Sequence, residues 1–122
     1  MSSDRLTLSQ IALLTAYALG MSGGQILFKQ AAVHLNGIGI ADRLLSLMHN
    51  FYFVSALVLY GALSLLYVWI LTFTPLSRAY PFVALAFAFT PALAAWLFGE
   101  PVSFRLIIGI SLILCGLFLV IG

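Results

Sequence analysis

Charge is what this sequence has least of. Only 7% of its 122 residues are Asp, Glu, Lys or Arg, where a soluble domain carries about 25%. Five basic and three acidic side chains leave a formal net charge of +2, too small and too scattered to serve a nucleic-acid surface. Cys115 is the only cysteine, so no intramolecular disulfide can form and the compartment cannot be read from redox chemistry. His34 and His49 have no third ligand-like residue close in sequence, which argues against a metal centre. There is no Ser/His/Asp grouping, no carboxylate pair and no phosphate-cradling glycine loop. These absences predict a protein that is not an enzyme and uses no metal or cofactor.

What fills the chain instead is hydrocarbon. Its composition is 64% hydrophobic and its mean hydropathy is +1.20. Uncharged stretches run from Leu6 to Phe28, Leu44 to Ser77, Ala79 to Gly99 and Leu106 to Gly122. About 20 apolar residues cross a bilayer as a helix. The pattern therefore predicts an all-α integral membrane bundle of four transmembrane helices, near residues 7–32, 51–73, 79–98 and 104–121. Connectors this short make residues 1–122 one four-helix membrane domain, preceded by a mobile polar head over residues 1–6. Arg5, an apolar run and Ala16-Tyr17-Ala18 imitate a signal peptide, but the run continues to Phe28, too long for such a segment.

With four spans, Arg5 and Arg78 fall on one side, Arg43 and Arg105 on the other, with Lys29 near the second pair. Orientation follows an excess of positive charge, and here there is barely one. That balance permits antiparallel pairing of like subunits, or insertion directed by a partner.

Against this background the stretch Gly20–Gln30 stands out. Ser22, Gln25 and Lys29 are three and four residues apart and share a helical face. Polar groups in a membrane helix turn toward a partner or a wet cavity. Lys29 lies about one turn from the helix end, where its stem can also reach the interface. Gln25 on the same face favours a polar cavity. On an adjoining face Ala12, Ala16, Gly20 and Gly24 form a small-residue ladder that lets another backbone approach.

Between the first two spans, Asp42, Arg43, Leu44, Leu47 and Met48 predict a short amphipathic helix in the interface. In the second span Tyr60 and Tyr67 share a face, and the deep Tyr60 hydroxyl needs a partner. Tyr52 and Trp69 suit the aromatic belts at opposite ends. Thr74-Pro75-Leu76-Ser77-Arg78 reads as a tight turn. Pro81 suits a first helical turn, and Pro91 predicts a bend because it cannot donate to the Phe87 carbonyl. Glu100 reads as a loop anion paired with Arg105. Gly109 and Gly116, seven apart, offer a helix-association groove and a candidate dimer interface. Lys29, Arg78 and Arg105 are cations suited to phosphate at headgroup depth; Ser22, Gln25, Tyr60 and Tyr80 offer neutral hydrogen bonds to a hydroxyl-rich ligand.

Three motifs carry a resemblance. Gly24-Gln25 followed by Lys29-Gln30-Ala31, then Ala79-Tyr80-Pro81, then Glu100-Pro101-Val102-Ser103 resemble the small four-helix, EamA-like members of the drug/metabolite transporter superfamily. Within it the chain looks most like the subunits of the aminoarabinose-phosphoundecaprenol flippase. The resemblance implies a bacterial inner-membrane protein that works in pairs, as a homodimer or with a similar four-helix subunit, in parallel or antiparallel. It implies a substrate of undecaprenyl phosphate bearing a sugar, with membrane lipids as the other partner. Gln25, Lys29, Tyr80 and Glu100 are the headgroup contacts it suggests. The small multidrug-resistance exporters are rival relatives. They use a first-helix glutamate eight residues before a lysine, and here that position is Met21. A hydrophobic cation would find no buried counter-ion, and Lys29 would repel it. Export of small cations or metabolites, or a non-transporting assembly subunit, remain the alternatives to a flippase.

Overall fold

The computed structural model describes residues 6–121; Asp4 and Arg5, with the rest of the polar head, lie outside the described residues. It is helical with no strand among the described residues. The elements are α1 (Leu8–Val33), α2 (Ile40–Met48), α3 (Phe51–Leu71), α4 (Leu76–Ala79), a 3-10 turn (Tyr80–Val83), α5 (Ala84–Phe98) and α6 (Phe104–Ile121). Four stretches are long and apolar enough to cross a membrane: Leu8–Val33, Phe51–Leu71, Leu76–Phe98 and Phe104–Ile121. The all-α, four-span architecture expected from the sequence is the one observed.

Two boundaries differ from expectation, for local reasons. The second span ends at Leu71, because Thr72 turns its hydroxyl back onto the Trp69 carbonyl (2.6 Å). The third span begins at Leu76 rather than 79, so the turn before it is shorter than predicted. Pro75 is extended and serves as the N-cap of α4. Pro81 then falls in the 3-10 turn, where its missing N–H leaves no helical bond unmade.

Membrane helices cannot leave end groups bare, and this chain uses side chains to close them. Thr7 and Gln10 form a reciprocal capping box at the start of α1. The Gln10 amide also donates to the Phe73 carbonyl (2.8 Å) and the Thr74 hydroxyl (3.0 Å), tying α1 to the turn after α3. At the other end of the bundle, buried Asn50 accepts from the Tyr52 and Phe53 amides and donates to the Ala31 carbonyl (3.0 Å). One side chain thus caps α3 and closes the end of α1. Asn50→Ala should lower the stability of the protein in detergent micelles by about 2 kcal/mol, a lost cap plus a stranded carbonyl. Asn50→Asp, which keeps the cap and loses the donor, should fall between the two in thermal melts.

Helix α1 is the centre of the bundle, packed mainly against α3 and next against α5, while α6 leans on α5. Leu14, Ile70, Ala79, Phe82 and Leu117 make a buried cluster to which all four spans contribute. The small-residue ladder works in its second half only. Gly20 lies under Leu63 and Gly24 under the ring of Tyr60, whereas Ala12 and Ala16 are exposed. Helix α2 occupies the first connector as expected, with Ile40, Leu44, Leu45 and Met48 all exposed. That is the apolar face an interfacial helix presents to lipid. Gly109 and Gly116 on α6 face open space, so the face expected to pair with another helix is free of intramolecular contact.

Candidate functional site

The polar stripe of α1 does not act as one cluster; the bundle gives each member a different partner. Ser22 is fully buried and accepts a hydrogen bond from Thr90 of α5 (3.1 Å). Gln25 donates through Nε2 to the Tyr60 hydroxyl (2.8 Å), and that hydroxyl donates to the Met21 carbonyl (3.1 Å). Tyr60 therefore has the partner its depth demanded, and Phe28 stacks on its ring at 5.3 Å. Only a glycine at position 24 permits this. A Cβ there would sit 2.6 Å from Tyr60 Cε2.

Lys29 pairs with Glu100 across 3.4 Å, with both side chains about half exposed. The expectation that Glu100 pairs with Arg105 is corrected. Gly99 takes a left-handed conformation (φ +66°) after α5, reversing the chain so that Glu100 faces α1. A residue with a Cβ is disfavoured there. Exposed ion pairs contribute only about 0–1 kcal/mol, so this contact does not hold the bundle together.

Between α1 and α5 lies a groove of about 320 Å³ lined by Met21, Gln25, Val83, Phe87, Thr90 and Pro91. A second hollow of about 250 Å³ shares Thr90 and Pro91 and runs on past Ala94 to Glu100 and Pro101. Together they make a mostly apolar furrow along α5. It starts beside the Gln25 amide and ends at the Lys29–Glu100 pair.

The other predicted site residues are elsewhere. Arg78 donates to the Val120 carbonyl (2.7 Å) at the end of α6, where a cation also suits the helix dipole. Tyr80 is exposed in the 3-10 turn, and Arg105 is exposed at the start of α6; neither lines the furrow. Thr90 is the residue that sequence reading missed. It is the one polar side chain in α5, and its place beside Pro91 was the available signal. Among the described residues no group of three metal-ligating side chains occurs.

No family model matches the chain, and no solved structure matches it. Two curated relatives do. The chain is 35% identical over 94 residues to the "Probable 4-amino-4-deoxy-L-arabinose-phosphoundecaprenol flippase subunit ArnE" of Sodalis glossinidius, covering 76% of this chain and 79% of that protein. It is 37% identical over 67 residues to the protein of the same name from Enterobacter sp. strain 638, covering 55% and 63%. Both names describe a transporter subunit, not an enzyme, and four apolar spans make this chain a multi-pass membrane protein. With 35% of the aligned residues identical over 79% of that relative's length, the chain belongs to the family of the ArnE flippase subunits.

Proposed function

We propose that this protein is a subunit of a flippase that carries an undecaprenyl-phosphate-linked sugar across the bacterial inner membrane, for lipid A modification. The headgroup is the aminoarabinose that the relatives' names specify. The observation that carries this reading is the furrow itself. It runs from Glu100, which pairs with the Lys29 ammonium, to the Gln25 amide one turn further into α1, a path for a polar headgroup whose polyprenyl tail stays in lipid.

A phosphate entering this furrow meets Lys29 first, and the ammonium exchanges its Glu100 partner for phosphate oxygens. Because that ion pair is half exposed, the exchange costs little. The sugar then moves past Thr90 toward Gln25 and Tyr60, where hydrogen bonds replace part of its hydration. No covalent step is needed; the groove lowers the cost of taking hydroxyls through hydrocarbon. Ser22 and Tyr60 act here through Thr90 and Gln25.

The open glycine face of α6 supports a second four-helix subunit packing there, through Gly109 and Gly116. The subunit name of the relatives agrees with a heteromeric partner.

The test is genetic complementation. In cells lacking their own flippase subunit, this chain should restore aminoarabinose on lipid A, read by mass spectrometry. Lys29→Ala should abolish that product while leaving the amount of protein in the membrane unchanged. Undiminished modification in the variant sinks the proposed phosphate contact; no restoration by the parent chain sinks the function.

A further inference from the structure

The furrow has a hydrogen-bonding polarity, and two backbone facts set it. The Tyr60 hydroxyl spends its proton on the Met21 carbonyl, which can only accept. Gln25 must therefore give Tyr60 an N–H, and its Nε2 lies 2.8 Å away. This fixes the amide orientation and leaves Gln25 Oε1 and the second Nε2 proton as the free groups of the side chain, in a groove it lines.

The second fact is Pro91 inside α5. A helical carbonyl points along the axis toward residue i+4, and proline has no N–H to meet it. The Phe87 carbonyl is therefore left without its helical donor. Phe87 and Pro91 both line the groove, so the freed oxygen lies between two of its walls. Within a membrane such an oxygen is tolerated where it borders a polar cavity. Thr90, the residue between them in the lining, already directs its proton to Ser22 and has only lone pairs to offer.

We propose that Pro91 is a specificity-determining residue. By freeing the Phe87 carbonyl in the groove that Gln25 also lines, it makes this end of the furrow rich in acceptors. That site selects headgroups rich in O–H or N–H donors and turns away phosphate and carboxylate. This rests on the flippase reading and adds the direction in which the substrate lies: donor-bearing sugar inward, anionic phosphate outward at Lys29. Methylated or acylated sugars, which lack donors, leave both oxygens unpaired and are rejected. Leaving a buried acceptor unmet is costly enough to discriminate about tenfold for each bond lost.

The experiment uses the full chain in lipid nanodiscs and three probes: farnesyl phosphate, farnesyl phosphate linked to a pentopyranose, and the same compound fully O-methylated. The wild-type protein should bind the free sugar at least about tenfold more tightly than the methylated one. Pro91→Ala returns an N–H to the Phe87 carbonyl. It should cut that preference about tenfold, keep the affinity for farnesyl phosphate and melt no lower than wild type. Pro91→Gly also returns the N–H but leaves the helix easy to bend, and should behave like Pro91→Ala. If the preference is undiminished in both variants, or falls only in Pro91→Ala, the carbonyl is not a selecting group and the inference is overturned with the flippase reading intact. If the wild-type protein binds none of the probes, the flippase reading falls and the inference falls with it.

Discussion

Gly24→Val should be the most damaging single substitution in the bundle, lowering stability in detergent by about 3 kcal/mol and removing transport. Overpacking a close contact costs about 1–3 kcal/mol, sometimes more, and here the room to yield is small. The added Cβ would stand 2.6 and 2.7 Å from two ring carbons of Tyr60. That ring is held by Phe28 stacked on it and by hydrogen bonds to Gln25 and Met21. It cannot swing away without breaking them. A glycine in mid-helix is otherwise the poorer choice by about 1 kcal/mol, so the clash must outweigh a gain in helix propensity. Thermal unfolding and headgroup modification should fall together. Gly23→Val is the control. Nothing lies within 4 Å of a Cβ at position 23, and that variant should melt like the parent. Equal stability of the two variants would contradict the packing described here.

The second large effect is an asymmetry between the partners of the ion pair. Lys29→Glu should reduce sugar transfer to background, whereas Glu100→Gln should leave most of it. The double exchange, Lys29→Glu with Glu100→Lys, restores an attractive pair across the same 3.4 Å contact. It should recover the amount of folded protein but less than about a tenth of the transport. A charge-assisted hydrogen bond contributes about 1.5–3 kcal/mol, and a tenfold loss corresponds to about 1.4 kcal/mol. Were the pair merely a strut, the exchange would restore both quantities. Protein yield by blotting and lipid A modification by mass spectrometry separate these outcomes.

How far the sequence reaches differs between fold and site. Length and hydropathy alone placed all four spans, because the bilayer sets their size. The fourth helix has its expected bounds, and the interfacial helix lies where Asp42-Arg43 and the following leucines put it. Helix ends were less legible where side chains close them. Nothing local to Asn50 reveals that its amide reaches Ala31, nineteen residues back in the chain. The stripe of Ser22, Gln25 and Lys29 was visible as a face, since helical spacing is a local property. Its division among Thr90, Tyr60 and Glu100 was not, because those partners come from three other segments. Arg78 illustrates the same limit. A lone cation beside a turn reads as a headgroup ligand, and nothing local shows that it also donates to the Val120 carbonyl. Conversely, the demand of Tyr60 for a partner followed from depth alone, and the partner is there.

Helix α6 has one deeply buried residue, Leu117, in its last turns, where Arg78 also fastens it. Its opening half, around Phe104, Ile107 and Ile108, is exposed. The span is thus moored at one membrane face and loose at the opposite one. In the proposed pairing, a subunit pressing against the loose half would tilt it about that mooring while α1 and α3 stay put. Since the furrow ends at Glu100 in the α5–α6 connection and at Leu106 in the first turn of α6, such a tilt would widen or narrow its mouth from outside the subunit.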